Sequence, residues 1–406
     1  MNQLKLSKLR RFKQYLIDES VYNKKSIIRS LISNSCSLAY SEPESQPCDI
    51  LFLYVSKALN YRCDPLKRVL TQKGFLTADE AIMPPKNVLL NRYLCKPKIS
   101  YPKEFLYEAA YAQYIVKKYQ PKILITFMDS SILSVFLREE MKPFGKVINI
   151  AHGVTCDTNL FSMIDFDYLF LFGKRSLENL KRNKVLFGTT RVVLTGSPFI
   201  TPDFILPANY AKKNILFFSS WIPKNERDLI LNNFNIVRDW AKLHQEYHLY
   251  VKLHPSPLED PMVWEKLAHG IRNITILDKK VDTKEALENV SLAVVLWSCA
   301  SFEASILNRP VVIVNNCDRE ENFLYLENFF LPRSRSAEEL HANILLTFDN
   351  YDFYLGKCKE FINYHFEHVH DSITYIADCI ESIYRDCETF PVCELHENTA
   401  ILENSN

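Results

Sequence analysis

Short apolar runs recur along this chain, separated by stretches whose apolar positions follow helical spacing. In the first half the runs are residues 49–55, 122–127, 146–151, 166–172 and 191–194; in the second they are 214–218, 248–253, 273–277, 292–297 and 311–314. They are rich in Ile, Val, Leu and Phe and scarcely alternate with polar residues, which predicts strands buried on both faces. Residues 101–119, 132–142, 176–184, 226–244, 262–268, 283–289 and 302–307 fit helices between them. Strand and helix alternate in both halves, which predicts an α/β protein of two doubly wound Rossmann-type domains facing across a cleft. A proline-punctuated stretch, 198–207, reads as the linker. The expected division is 1–200 as the N-terminal domain, 201–387 as a C-terminal domain closed by helices at 337–351 and 354–385, and 388–406 as a polar tail with no need to fold. Residues 60–100, with Pro65, Pro84, Pro85 and Pro97, read as irregular.

Composition narrows the picture. Of 406 residues 47% are apolar and the formal net charge is +1, so nothing calls for a nucleic-acid partner. No apolar run approaches the roughly 20 residues of a membrane span, and the N-terminus lacks a signal-peptide core. Eleven cysteines, an odd number without a CxxC pair, read as reduced thiols in a cytoplasmic protein. Cys379, Cys387, Cys393 and His396 match no zinc spacing. Residues 1–30 are basic, with Lys5, Lys8, Arg10, Arg11, Lys13, Lys24, Lys25 and Arg29 against Asp18 and Glu19, while Leu9, Phe12 and Leu16 share one helical face. Two readings follow: a helix docked on the domain with its charges solvated, or a helix lying on the inner face of a membrane as a peripheral anchor.

Candidate chemistry gathers where strands end. The stretch LAVVLWSCASFEASILNRPVVIV, residues 292–314, reads as strand, tight turn, short helix and returning parallel strand. Ser298, Ser301 and Glu303 fall at the carboxyl end, where open parallel sheets hold ligands and a helix N-terminus suits phosphate. Read alone, Ser301 is an N-cap and Glu303 a first-turn charge. His254 closes the strand before Pro255 and offers a further donor; Lys252 reads as solvated. His152-Gly153 follows the strand 146–151, and Asp129 follows 122–127. Six of the eight glycines lie between Gly145 and Gly270, as turns lining a ligand cleft require.

Four pieces stand in order, each after a predicted strand: Ala151-His152-Gly153; Thr195-Gly196-Ser197-Pro198; Lys252-Leu253-His254-Pro255; and Ser298 through Glu303 followed by Arg309-Pro310-Val311. This order resembles the GT-B glycosyltransferases of bacterial surface polysaccharide synthesis, nearest in pattern to CDP-glycerol glycerophosphotransferases, capsular Kdo transferases and bacterial polysialyltransferases. The resemblance spans roughly residues 120–315. It implies an inverting, metal-independent transferase that takes a CMP-, CDP- or UDP-linked sugar as co-substrate, needs no other cofactor, and acts on a glycan or lipid-linked glycan.

In that resemblance His254, Ser298, Ser301, Glu303, Gly153, Gly196 and Ser197 bind the donor. His152 faces the donor as general base, or binds its phosphate and leaves base duty to Asp129; both roles stay open. Glycerophosphotransferases carry paired serines and then an aspartate where this chain has Ser298, Ser301 and Glu303, which favours a sugar donor here. Asp165-Phe166-Asp167 looks like a metal-binding DxD motif, but its second Asp opens a strand rather than ending one, so no metal is expected. The alternatives are a CDP-glycerol-type glycerophosphotransferase, a nucleotide-sugar 2-epimerase, and a non-catalytic GT-B-like glycan-binding or scaffold protein.

Overall fold

A computed structural model describes residues 1–19, 40–55, 63–155, 159–219, 227–254, 261–296, 298–316 and 326–399. Lys24, Lys25, Arg29, Ser220, Trp221, Pro255, Trp297 and the loop 318–322 lie outside the described residues. Among those described, no helix is long and apolar enough to cross a membrane. The chain divides into two compact units, Met1–Thr201 with His365–Asn406, and Pro202–Tyr364.

Unit 1 is built on a seven-stranded sheet. Its parallel strands are β1 (Ile50–Tyr54), β2 (Thr77–Ala81), β3 (Ile123–Thr126), β4 (Lys146–Ile150), β5 (Tyr168–Leu171) and β6 (Thr190–Leu194), in spatial order 2-1-3-4-5-6. Unit 2 holds five parallel strands, β7 (Asn214–Phe218), β8 (His248–Lys252), β9 (Ile274–Leu277), β10 (Leu292–Val295) and β11 (Val311–Ile313), ordered β11-β10-β7-β8-β9. Then β12 (Cys393–Leu395) returns to unit 1 and pairs antiparallel with β6. The order therefore reverses between β1 and β3 in unit 1, and between β7 and β10 in unit 2. Crevices at the carboxyl ends of such strand pairs are where doubly wound sheets bind ligands.

The sequence explains these elements directly. ILFLY in β1, ILIT in β3 and LAVV in β10 are buried at every position, as helices on both faces require. The helix Leu106–Tyr119 ends where Gln120 turns left-handed (φ 43°) ahead of Pro121. Unit 2 packs Trp240, Trp264, Phe217 and Phe234 into one core with Leu340 and Ile344 of the helix Ala337–Asp349.

Three readings change. Residues 60–100 are not irregular: they contain the helix Asp64–Gln72, strand β2 and the helix Pro85–Leu90. β2 reads TADEA and lies at the sheet edge, so it carries no apolar run to betray it. The expected helix 354–385 is two, Tyr351–His365 and Ser372–Tyr384, parted at a bend where His368 has φ 49°. The second helix belongs to unit 1, where Ile373, Ile376, Ile380 and Ile383 enter the core beside Leu66 and Leu70. The tail after 387 is structured through Asn398. Glu388 accepts from Arg191 and the Tyr168 hydroxyl, β12 extends the sheet, and Leu186 and Asn398 exchange backbone hydrogen bonds of 2.8 Å. Its polar composition hid an edge strand.

The N-terminal helix Gln3–Asp18 is capped by Asn2, which accepts from the Lys5 amide at 2.8 Å. Leu6, Leu9, Phe12 and Leu16 are buried, and Phe12 stacks on Phe187 at 5.0 Å. Its cations turn to the protein: Lys5 to Glu139 (3.1 Å) and Asp165 (2.7 Å), Lys8 to Glu397, and Arg10 to Glu104. Burial alone would raise the Glu139 carboxyl; Lys142, Lys5 and the chain amino group instead hold it down at about 2. The docked reading describes this helix, because a membrane anchor needs the apolar face that the fold has buried.

Candidate active site

Unit 1 brings Asp129 and His152 together. Asp129 lies three residues past β3 and His152 two past β4, on neighbouring strands. His152 Nδ1 pairs with Asp129 Oδ2, and Asn149 Nδ2 donates to Asp129 Oδ1 at 2.8 Å. Asn149 is fully buried, and its Oδ1 accepts from the Thr126 hydroxyl and the Met128 amide, each at 2.8 Å. A carboxylate only accepts, so Asp129 places the imidazole proton on Nδ1 and the lone pair on Nε2. In this tautomer the ring can accept a proton at Nε2. Asp129 does not cap the helix Leu133–Met141, whose N-cap makes no side-chain bond.

Sequence reading passed over Asn149. Its signal was a lone amide inside the buried strand KVINI, where an unpaired polar group costs about 1–3 kcal/mol.

Beside this pair opens a cavity of about 560 Å³, lined among the described residues by unit 1. Tyr54, Phe127 and Met128 come from the ends of β1 and β3, where the strand order reverses. Tyr107, Glu108 and Tyr111 come from the helix Leu106–Tyr119, and Lys13 from the N-terminal helix. Glu108 is 6% exposed, a second carboxylate at the cavity that no motif in the chain singled out. Lys13 donates to the Glu104 carbonyl at 2.8 Å, and its ammonium sits 5.2 Å from the Phe105 ring centre.

Unit 2 gathers the other candidates at the ends of three adjacent strands. Ser219 follows β7, His254 follows β8 and Ser298 follows β10. His254 is half-buried; burial lowers its pKa and Lys279 lowers it further, which favours the neutral ring at neutral pH. Ser298 is half-buried and its hydroxyl accepts from the Ala300 amide at 3.2 Å. Ser301 is fully buried, and both its hydroxyl (2.8 Å) and its amide (3.0 Å) donate to the Ser298 carbonyl. It thus ties the turn to the helix from inside its first turn; the N-cap is Cys299, not Ser301. Glu303 stands half-buried in the first turn of the helix Ala300–Ile306.

Other predicted positions make close packing contacts. A Cβ on Gly196, at φ +73°, would lie 2.3 Å from the Glu367 carbonyl oxygen, and the Ser197 carbonyl accepts from the Ser372 hydroxyl at 2.6 Å. That turn holds the returning C-terminal segment. Gly145, Gly173 and Gly188 are likewise pressed against Met141, His365 and Asp165, so their clustering in sequence reflects tight crossings rather than ligand-lining turns. Gly153 alone among the site glycines faces open space. Arg309 is buried and donates to the carbonyls of Pro207 (2.7 Å), Leu287 (3.0 Å) and Leu307 (2.9 Å), clamping three segments. Lys252, read as solvated, donates to the Val281 carbonyl at 2.5 Å. Asp165 and Asp167 share Arg138, at 2.7 and 3.3 Å, and Asp165 also meets Lys5. The DxD-like pair is thus engaged by cations of its own unit.

No protein-family model and no curated protein sequence matches the chain. Solved structures do. A putative UDP-N-acetylglucosamine 2-epimerase from Listeria monocytogenes is 15% identical at a TM-score of 0.58, over 84% of this chain and 98% of that one. The S. aureus MnaA co-structure with UDP gives 14% and 0.56, over 84% and 99%. The wall teichoic acid polymerase TagF with CDPG gives 13% and 0.50, over 95% and 99%. The fold is GT-B. Two Rossmann-like sheets, one per unit, are what this chain shares with those structures. At such identities the likeness concerns architecture, and chemistry rests on the residues above.

Proposed function

We propose that this GT-B protein is an inverting glycosyltransferase that takes a nucleotide-activated sugar and adds the sugar to a hydroxyl of a surface-glycan acceptor. The observation that carries the reading is the oriented Asp129–His152 pair beside a cavity of about 560 Å³. A hydroxyl acceptor needs a base and a place to sit; an epimerase handling one substrate needs no such second place.

Each unit has one task. His152 Nε2 takes the acceptor hydroxyl proton as that oxygen bonds to the anomeric carbon, and the bond from that carbon to the phosphate oxygen breaks. Asp129 stabilises the imidazolium that forms. The nucleotide leaves from unit 2, where His254 and the Ser298 turn offer neutral donors to phosphate oxygens. Asp165 and Asp167 are not given a metal to hold.

The 2-epimerase reading is favoured by the name of the Listeria monocytogenes neighbour at a TM-score of 0.58, and Glu108 with Asp129 supplies two carboxylates at one cavity. Titration calorimetry against CMP, CDP and UDP tests the nucleotide part. One of the three should bind, with affinity falling in His254→Ala; binding of none would point to a scaffold without donor chemistry.

A further inference from the structure

Asn149 is fully buried inside β4, and the parallel register sets it opposite Thr126 of β3. The two ends of its amide face opposite kinds of partner. A backbone N–H can only donate, so the Met128 amide, at 2.8 Å, fixes the Asn149 oxygen on its own side. The Thr126 hydroxyl donates to the same oxygen at 2.8 Å. The NH2 group is thereby turned to Asp129, where it donates to Oδ1 at 2.8 Å. With Oδ1 engaged as an acceptor, Oδ2 is the atom turned to His152 Nδ1. An unconstrained imidazole prefers its proton on Nε2; the series of donors that starts at the Met128 amide opposes that preference. Leucine at this position would strand two donors, and aspartate would set carboxyl against carboxyl. A side chain with an acceptor at one end and a donor at the other meets both demands.

We propose that Asn149 is a positioning residue: acting through Asp129, it decides which kind of atom meets His152 and therefore which ring nitrogen carries the proton. The inference rests on the transferase reading for the use made of that ring, and deepens it by naming what sets the base. With its lone pair on Nε2, His152 can take the acceptor proton there; with a proton already on Nε2 it cannot.

The test exchanges two side chains. His152 is followed by nitrogen NMR in histidine-labelled protein, above the pH at which the ring titrates, and its signals are identified by their absence in His152→Gln. The wild-type ring should carry its proton on Nδ1. In Asp129→Asn the Asn149 NH2 group still demands an oxygen, so the new amide turns its own NH2 to His152 and the proton should move to Nε2. In the exchange, Asp129→Asn with Asn149→Asp, the carboxylate at 149 accepts from the amide at 129. The oxygen of that amide then faces the ring, and the proton should return to Nδ1. Turnover, read as nucleotide release from CMP-, CDP- or UDP-sugars with acceptor glycosides, should fall about 10²–10⁴-fold in Asp129→Asn and recover about tenfold or more in the exchange. A residue that merely supports the strand would leave the tautomer alone. Nε2–H in the wild type, Nδ1–H in Asp129→Asn, or Nε2–H in the exchange overturns the inference. The wild type and the exchange, which conserves charge and composition, decide the matter even where Asp129→Asn fails to fold. The predicted tautomers in a protein that transfers no sugar keep this inference and defeat the transferase reading. Transfer by a protein whose tautomer ignores both substitutions does the reverse.

Discussion

Asp129 Oδ2 holds the Nδ1 edge of His152, across the ends of two neighbouring strands. Two residues 23 apart in sequence form one hydrogen-bonded pair, which the proposed function uses as its base. Asp129→Asn should therefore keep the fold and lower turnover by about 10²–10⁴-fold, the contribution of a positioned general base. His152→Ala should cost about as much, and the double variant little more. Additive losses would mean that the two side chains act separately.

The N-terminal helix is part of the fold. Phe12→Ala should destabilise unit 1 by about 3–5 kcal/mol, as a truncated buried phenyl does. The wild-type protein should not sediment with anionic vesicles through this helix. Replacing Lys5, Lys8, Arg10 and Lys13 by Gln should lower the melting temperature slightly, since partly exposed ion pairs contribute little each. Salt-sensitive sedimentation lost in that variant would restore the surface-anchor reading.

The turn at Gly196 gives a third test. Gly196→Ala forces a side chain into a left-handed backbone and against the Glu367 carbonyl, so it should destabilise by more than about 1 kcal/mol. Nucleotide affinity measured at a temperature where the variant is folded should not change. A selective loss of nucleotide binding would return Gly196 and Ser197 to the donor site.

Acid should loosen unit 2 early. Burial lowers the pKa values of His248, His254 and His341 from 6.5. The unfolded chain then binds more protons than the folded one below about pH 6.5, so stability is full above that value and falls as pH drops toward the folded values. Melting followed from pH 7.5 to 5 should show the decline beginning near 6.5, with a shallower slope in His254→Asn. A melting temperature flat down to pH 5 would contradict this.

How much the sequence disclosed depended on what each residue answered to. The central strands were legible because burial on both faces leaves no choice but apolar side chains, as in β1 and β10. β2 and β12 were not, because an edge strand is held by backbone pairing and TADEA carries no burial signal. His152 and Asp129 were visible as polar residues just past buried strands, yet only the fold shows the hydrogen bond between them. Ser301 and Gly196 show a turn role that the sequence pattern did not reveal, since hydroxyls and glycines serve tight turns as readily as ligands. Asn149 was overlooked because it sits inside an element, where chemistry was not sought.

Metal dependence checks the reading of Asp165 and Asp167. With Arg138 shared between them and Lys5 beside the first, turnover should persist in saturating EDTA. Loss of activity that magnesium or manganese restores would require a cation in the mechanism.

The central claim is that an acceptor hydroxyl, deprotonated by His152, displaces a nucleotide. The most direct measurement follows the nucleotide and the anomeric centre together: CMP-, CDP- and UDP-sugars are incubated with and without acceptor glycosides, nucleotide release is quantified, and products are read by NMR. The account predicts release only with acceptor present, inversion at the anomeric carbon, and loss of both in His152→Ala. Conversion of a nucleotide sugar to its C2 epimer without acceptor, or undiminished transfer by His152→Ala, would contradict it.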